Sequence, residues 1–167
     1  MEHEVKIMGI LNVTPDSFYA SSRLLPDGHF DADAFAAAVQ HMIDAGADIL
    51  DLGACSTRPG SQSVDEAGEW SRLEPALRVL ADAFPQAVVS VDTFRAGIVA
   101  RSVDTLGRPI IVNDISAGDD DAAMLPLCGR LGLSYVAMHK RGTPLTMQGM
   151  CEYEDVVEDV LDYFRRF

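Results

Sequence analysis

The sequence predicts an α/β fold in which helices cover a parallel sheet, and three observations lead there. Short, nearly continuous apolar runs alternate with segments of helical periodicity. Five such pairs follow one another. No linker, low-complexity stretch or composition break interrupts them. Strands buried on both faces read as unbroken apolar runs, and parallel sheets with crossover helices are where such strands occur. The 167 residues are enough for one domain with its own core, and 1–167 reads as a single domain.

The first strand is Val5 to Leu11, followed by a polar, Ser-rich loop from Asn12 to about Phe30. The first helix starts at Asp31 or Asp33, either of which can cap it, and ends at Ala45. Phe35, Val39, Met42 and Ile43 recur at helical spacing, and Gly46 supplies the stop. Ile49 to Leu52 is the second strand, and Ser63 and Glu66 stand at capping-box spacing before a long helix. That helix carries Trp70, Leu73, Leu77 and Leu80 on one face, and Pro75 predicts a kink in it. Ala87 to Val91 is the third strand, with a helix from about Arg95 to Thr105. Ile110 to Ile115 is the fourth, with a helix from about Asp121 to Leu131. Ser134 to Met138 is the fifth, and a helix from Glu152 to Phe167 should bury Val156, Val157, Val160, Leu161 and Phe164.

Periodicity leaves two closures open, a doubly wound sheet or part of an eight-fold barrel. Polar residues favour the barrel. Asn12, the Ser56-Thr57-Arg58 loop, Asp92, Asn113 and His139 all fall at or just after carboxyl ends of successive strands. A barrel gathers those ends at one mouth, whereas an open sheet spreads them along an edge. The predicted fold is therefore a parallel (β/α)8 TIM-barrel type, represented by about five βα units.

Composition narrows the partners. The formal net charge of −13 repels nucleic acid and anionic membrane surfaces, which excludes both. A phosphorylated ligand would need local donors, a metal, or both. No apolar run approaches the ~20 residues of a membrane span. The acidic start Met1-Glu2-His3-Glu4 lacks the character of a signal or transit peptide, so the expected location is the cytoplasm. Cys55, Cys128 and Cys151 have no metal-like spacing and read as reduced thiols.

The strand-end segments are also specific. Gly9-Ile10-Leu11-Asn12-Val13-Thr14-Pro15-Asp16-Ser17-Phe18 resembles the first signature of dihydropteroate synthases, and Gly53-Ala54-Cys55-Ser56-Thr57-Arg58-Pro59-Gly60 resembles the second. Ser90-Val91-Asp92-Thr93, Val112-Asn113-Asp114-Ile115 and Met138-His139, with Gly142, Pro144, Thr146-Met147-Gln148 and Tyr153, match the following units in family order. The resemblance implies a transferase of folate biosynthesis. It condenses a hydroxymethyl-dihydropterin diphosphate with 4-aminobenzoate, releases pyrophosphate, and is the target of sulfonamides.

Each residue has a chemical reading beside a plainer one. Asn12 could simply be a turn residue, but its side-chain oxygen is a hard donor suited to Mg²⁺, the role the resemblance implies. Thr57 and Arg58 could be solvated surface groups, or could meet diphosphate oxygens or a carboxylate. Asp92 could cap the helix that follows it. Otherwise its carboxylate suits the amino and N–H groups of a pterin ring, and Asn113 suits the ring's mixed donor–acceptor edge. Ile115 and Met138 would wall the ring, or be ordinary core. Lys140 and Arg141 add positive charge beside the mouth. His139 reads as structural, and Asp114, His29 and the cysteines receive no role.

The family's sixth-, seventh- and eighth-strand segments (Asp-Pro-Gly, Ser-Arg-Lys and Arg-x-His) do not occur in these residues, so the pocket is half built. The expectation is a chain inactive alone, with strand edges that drive self-association or pairing with a complementary C-terminal piece. The alternatives are a non-catalytic pterin-binding module, like the pterin domain of corrinoid methyltransferases, and an assembly fragment.

Overall fold

A computed structural model describes residues 5–14, 30–55, 64–142, 146 and 149–165. Five strands alternate with five helices: β1 (Met8–Asn12), α1 (Ala32–Asp44), β2 (Ile49–Gly53), α2 (Glu66–Ala83), β3 (Val88–Asp92), α3 (Ala96–Leu106), β4 (Ile111–Asp114), α4 (Met124–Leu131), β5 (Ser134–Ala137) and α5 (Val156–Phe164). The strands form one parallel sheet in the order β1-β2-β3-β4-β5. A doubly wound sheet reverses direction of strand addition at its switch point; this order never reverses, as in a barrel wall.

Side-chain alternation along each strand gives the sheet two different faces. Leu11, Leu52, Val91, Val112 and Tyr135 are mutual neighbours in one row. Together with Leu50 and Val89 they pack under the helices, against Phe35, Val39, Leu73, Leu77, Leu80, Ile98, Val99 and Met124. The opposite face is partly bare. Ile10 is 62% exposed, Val88 49% and Val136 45%. The sheet therefore has a finished outer wall and an open inner one, with β1 and β5 as its edges.

Local chemistry moves several boundaries. Asp31 caps α1 by accepting from the Ala34 N–H at 2.9 Å. For α2 the cap is Asp65, which accepts from Gly68 N at 2.8 Å, rather than Ser63, which lies outside the described residues. α2 continues as one helix through Pro75. α4 begins at Met124, later than expected, after a turn that opens at Asp121. Asp121 Oδ2 accepts from Ala96 N at 2.8 Å, at the start of α3, and its Oδ1 from Ala123 N. Gly107 and Gly132 close α3 and α4 in the left-handed conformation that glycine adopts without cost.

The last helix corrects an expectation. Asp155 caps it at Val157 and Glu158, so α5 begins at Val156 and not Glu152. Tyr163 is its buried residue, while Val156, Val157, Leu161 and Phe164 are exposed and Val160 is half-buried. The apolar face read from the periodicity exists, but Val156, Val157 and Leu161 on it stay exposed among the described residues.

Candidate functional site

Strand register assembles the site. Asn12 pairs with Gly53, Gly53 with Asp92, Asp92 with Asn113, and Asn113 with Val136. Cross-strand partners in a parallel sheet point to the same side, so these five positions form one row across the carboxyl end of the open face. Three polar residues expected from the sequence thus share a row. Asp114, one residue further on, points to the helix side. There it is buried and accepts from Ser116 N at 2.7 Å, Gly118 N at 2.9 Å and the Tyr135 hydroxyl at 2.6 Å. Alternation alone separates an available Asn113 from a structural Asp114.

Asp92 does not cap α3, because Asp121 does. Among the described residues the Asp92 carboxyl accepts no hydrogen bond. Burial raises its pKa from 3.8 to about 7, aided by the negative charges of Asp51, Glu69 and Asp114. A half-buried carboxyl with unfilled acceptor capacity is costly unless a ligand supplies donors. Among the described residues the Asn113 amide is engaged on one side only, its Nδ2 donating to Asp51 Oδ2 at 3.2 Å. Gly53 leaves the gap between Asn12 and Asp92. A Cβ there would lie 3.1 Å from Asn12 Oδ1 and 3.6 Å from Asp92 Oδ2.

Asp51 and Ser90 were not picked out from the sequence. They form the row beneath, where Ile10 pairs with Asp51 and Asp51 with Ser90. Ser90 Oγ donates to Asp51 Oδ1 at 2.5 Å, and both residues are buried. The available signal was a lone carboxylate inside the apolar run Ile49-Leu50-Asp51-Leu52.

Other expectations resolve differently. Thr57 and Arg58 lie outside the described residues. Ile115 is half-buried in the turn after β4, and Met138 is 39% exposed just past β5. Lys140 and Arg141, just past β5, are paired with acidic groups. Lys140 pairs with Asp120 at 3.4 Å. Arg141 approaches Asp159 at 3.6 Å, donates to the Glu152 carbonyl and stacks over Tyr153. His139 packs edge-on against Tyr163, a structural contact. The three cysteines are free thiols.

No group of three or more His, Cys, Asp or Glu among the described residues could hold a metal by itself. Mg²⁺ does not require one, since it is commonly held by one or two protein oxygens plus phosphates and water. Asn12, exposed at the end of β1 with its Oδ1 beside the Gly53 gap, fits that pattern.

A progressively ordered parallel sheet with a carboxyl–amide row at its carboxyl ends defines the wall of a TIM-barrel fold. Residues 8–167 match the model of the pterin binding enzyme family, and the chain belongs to that family. It is similar to the dihydropteroate synthase of Neisseria meningitidis serogroup B, at 38% identity over 96% of this chain and 54% of that protein. It also resembles the Yersinia pestis dihydropteroate synthase solved with a sulfonamide drug complex (TM-score 0.80, 36% identity, 96% of this chain and 55% of that one). The Xanthomonas albilineans dihydropteroate synthase solved with 4-aminobenzoic acid gives a TM-score of 0.76 and 31% identity, over 96% of this chain and 53% of that one. The chain spans about half the length of these relatives, and under a third of some longer ones. No described helix is long and apolar enough to cross a membrane.

Proposed function

We propose that this chain carries the pterin-binding wall of a dihydropteroate synthase. The reaction joins 6-hydroxymethyl-7,8-dihydropterin diphosphate to 4-aminobenzoate, giving 7,8-dihydropteroate and pyrophosphate. The observation that carries the reading is the pair Asp92 and Asn113. They are register partners on adjacent strands, one with unfilled acceptors and the other with half its amide engaged. A pterin edge offers the donors and acceptor that such a pair lacks.

In this reading Asp92 and Asn113 bind and orient the ring, and Ile115 and Met138 contact its faces. Thr57 and Arg58 meet the diphosphate and the aminobenzoate carboxylate. Asn12 would hold Mg²⁺, which when bound offsets charge on the departing diphosphate. The carbon–oxygen bond to the diphosphate breaks, the aminobenzoate nitrogen bonds to the same carbon, and the amine loses a proton. No protein nucleophile is required. The chain's contribution is to place the ring and exclude competing orientations.

Turnover further requires cover for the open face around Ile10, Val88 and Val136, whether from further βα units or from a second copy. Pyrophosphate release tests the whole reading. The chain alone should release none. The chain joined to the C-terminal half of a bacterial relative should release it, and should lose that activity on Asp92→Ala. A joined protein that binds pterin and never releases pyrophosphate would instead be a binding module.

A further inference from the structure

A side-chain amide can present either of two faces, because a half-turn exchanges its oxygen and nitrogen. In Asn113 a fixed neighbour settles which. Asp51 is 5% exposed and both its oxygens are engaged, Oδ1 by the Ser90 hydroxyl at 2.5 Å and Oδ2 by Asn113 Nδ2 at 3.2 Å. A carboxylate only accepts, so the amide must turn its NH₂ toward it. That leaves Oδ1 and the second N–H for whatever occupies the mouth. Ser90, the direct register partner of Asp51, holds the carboxylate in the rotamer that reaches across β3.

We infer that Asp51 is a positioning residue that fixes the orientation of the Asn113 amide and, through it, the ring edge the site accepts. This rests on the pterin reading for the identity of the ligand. Asp51 lies one row below the mouth and acts only through Asn113. Its burial would otherwise be an uncompensated cost in the middle of a strand. Ser90 completes the relay by holding the carboxyl and touches no ligand.

The test combines a double-mutant cycle with a ligand-free probe, both on the full chain. Affinity for the pterin diphosphate is measured for the wild type, Asp51→Asn, Asn113→Ala and the double variant. Asp51→Asn preserves shape but can both donate and accept, so the amide is freed to turn. Its affinity should fall about tenfold. The double variant should bind no more weakly than Asn113→Ala alone, because the effect runs through that amide. Additive losses would overturn the inference.

In the absence of ligand, the Asn113 side-chain NH₂ should give a resolved pair of ¹⁵N–¹H resonances with one proton protected from exchange. That asymmetry should vanish in Asp51→Asn. An unchanged asymmetry would also overturn the inference, whatever the ligand proves to be. Should the wild type bind no pterin, the functional reading fails while the resonance experiment still decides the orientation. If Asp51→Asn does not fold, Ser90→Ala serves in both measurements with the same expected direction.

Discussion

Asp92 and Asn113 face one another across β3 and β4, and they differ in what the protein gives them. The Asn113 amide donates to Asp51 at 3.2 Å, whereas the Asp92 carboxyl has no hydrogen-bond partner among the described residues. The helix start that could have used Asp92 is satisfied by Asp121. A carboxyl left in this state weakens the fold and serves the site, so the two properties should separate on mutation.

Asp92→Asn should abolish measurable pterin binding while stabilising the protein at neutral and alkaline pH. With its folded pKa raised from 3.8 to about 7, the native state keeps a proton that the unfolded state has released. Stability therefore falls as pH rises through that window, by on the order of a few kcal/mol in total. The variant should lack this slope. Urea denaturation at about pH 5 and about pH 8 compares the two, and parallel profiles would contradict the assignment.

The gap at Gly53 should matter to the metal and the diphosphate more than to the fold. A methyl there would stand 3.1 Å from Asn12 Oδ1. Gly53→Ala and Asn12→Ala should each weaken diphosphate binding at least about tenfold in Mg²⁺, or about 1.4 kcal/mol. Both should leave binding of the unphosphorylated hydroxymethylpterin nearly unchanged. Chelating Mg²⁺ should bring the wild type down to the level of Asn12→Ala, as read by calorimetry.

Arg95 holds α2 to α3 at the back of the site. Its guanidinium meets the fully buried Glu69 and also donates to the Val64 carbonyl at 2.6 Å, while Glu69 Oε1 has no hydrogen-bond partner among the described residues. Arg95→Ala strands a buried carboxylate and should cost about 3–5 kcal/mol. Adding Glu69→Gln should recover part of that loss. Chemical denaturation of the single and double variants measures both.

The bare inner face predicts association. Ile10 and Val136 are exposed apolar residues on that face, and their strands are the two edges of the sheet. Sedimentation velocity should find concentration-dependent oligomers that shrink on Ile10→Glu with Val136→Glu. Oligomers that persist unchanged would place the contact elsewhere.

Much of this was legible in the sequence, for identifiable reasons. The five apolar runs marked the strands because they carry apolar side chains on both faces, the inner one bare here, and Asn12, Asp92 and Asn113 stood out as polar ends of those runs. Asp51 was not singled out, since its use depends on reaching Asn113 two strands away, a contact separated by 62 residues. Whether Asp92 capped a helix was undecidable while the competing cap, Asp121, lay 25 residues from its target. The α5 periodicity correctly marked an apolar face, but periodicity does not say whether anything covers it. Lys140 and Arg141 read as positive charge beside the mouth, while their acidic partners, Asp120 and Asp159, are invisible without the fold.

The Asp92–Asn113 row should already form a pterin site in this chain. Calorimetric titration of the folded chain with the pterin diphosphate and Mg²⁺ tests it most directly. One saturable site per chain is expected, lost in Asp92→Ala and weakened but still measurable in Asn113→Ala. Binding that survives Asp92→Ala, or a folded chain that takes up no pterin at all, would contradict it.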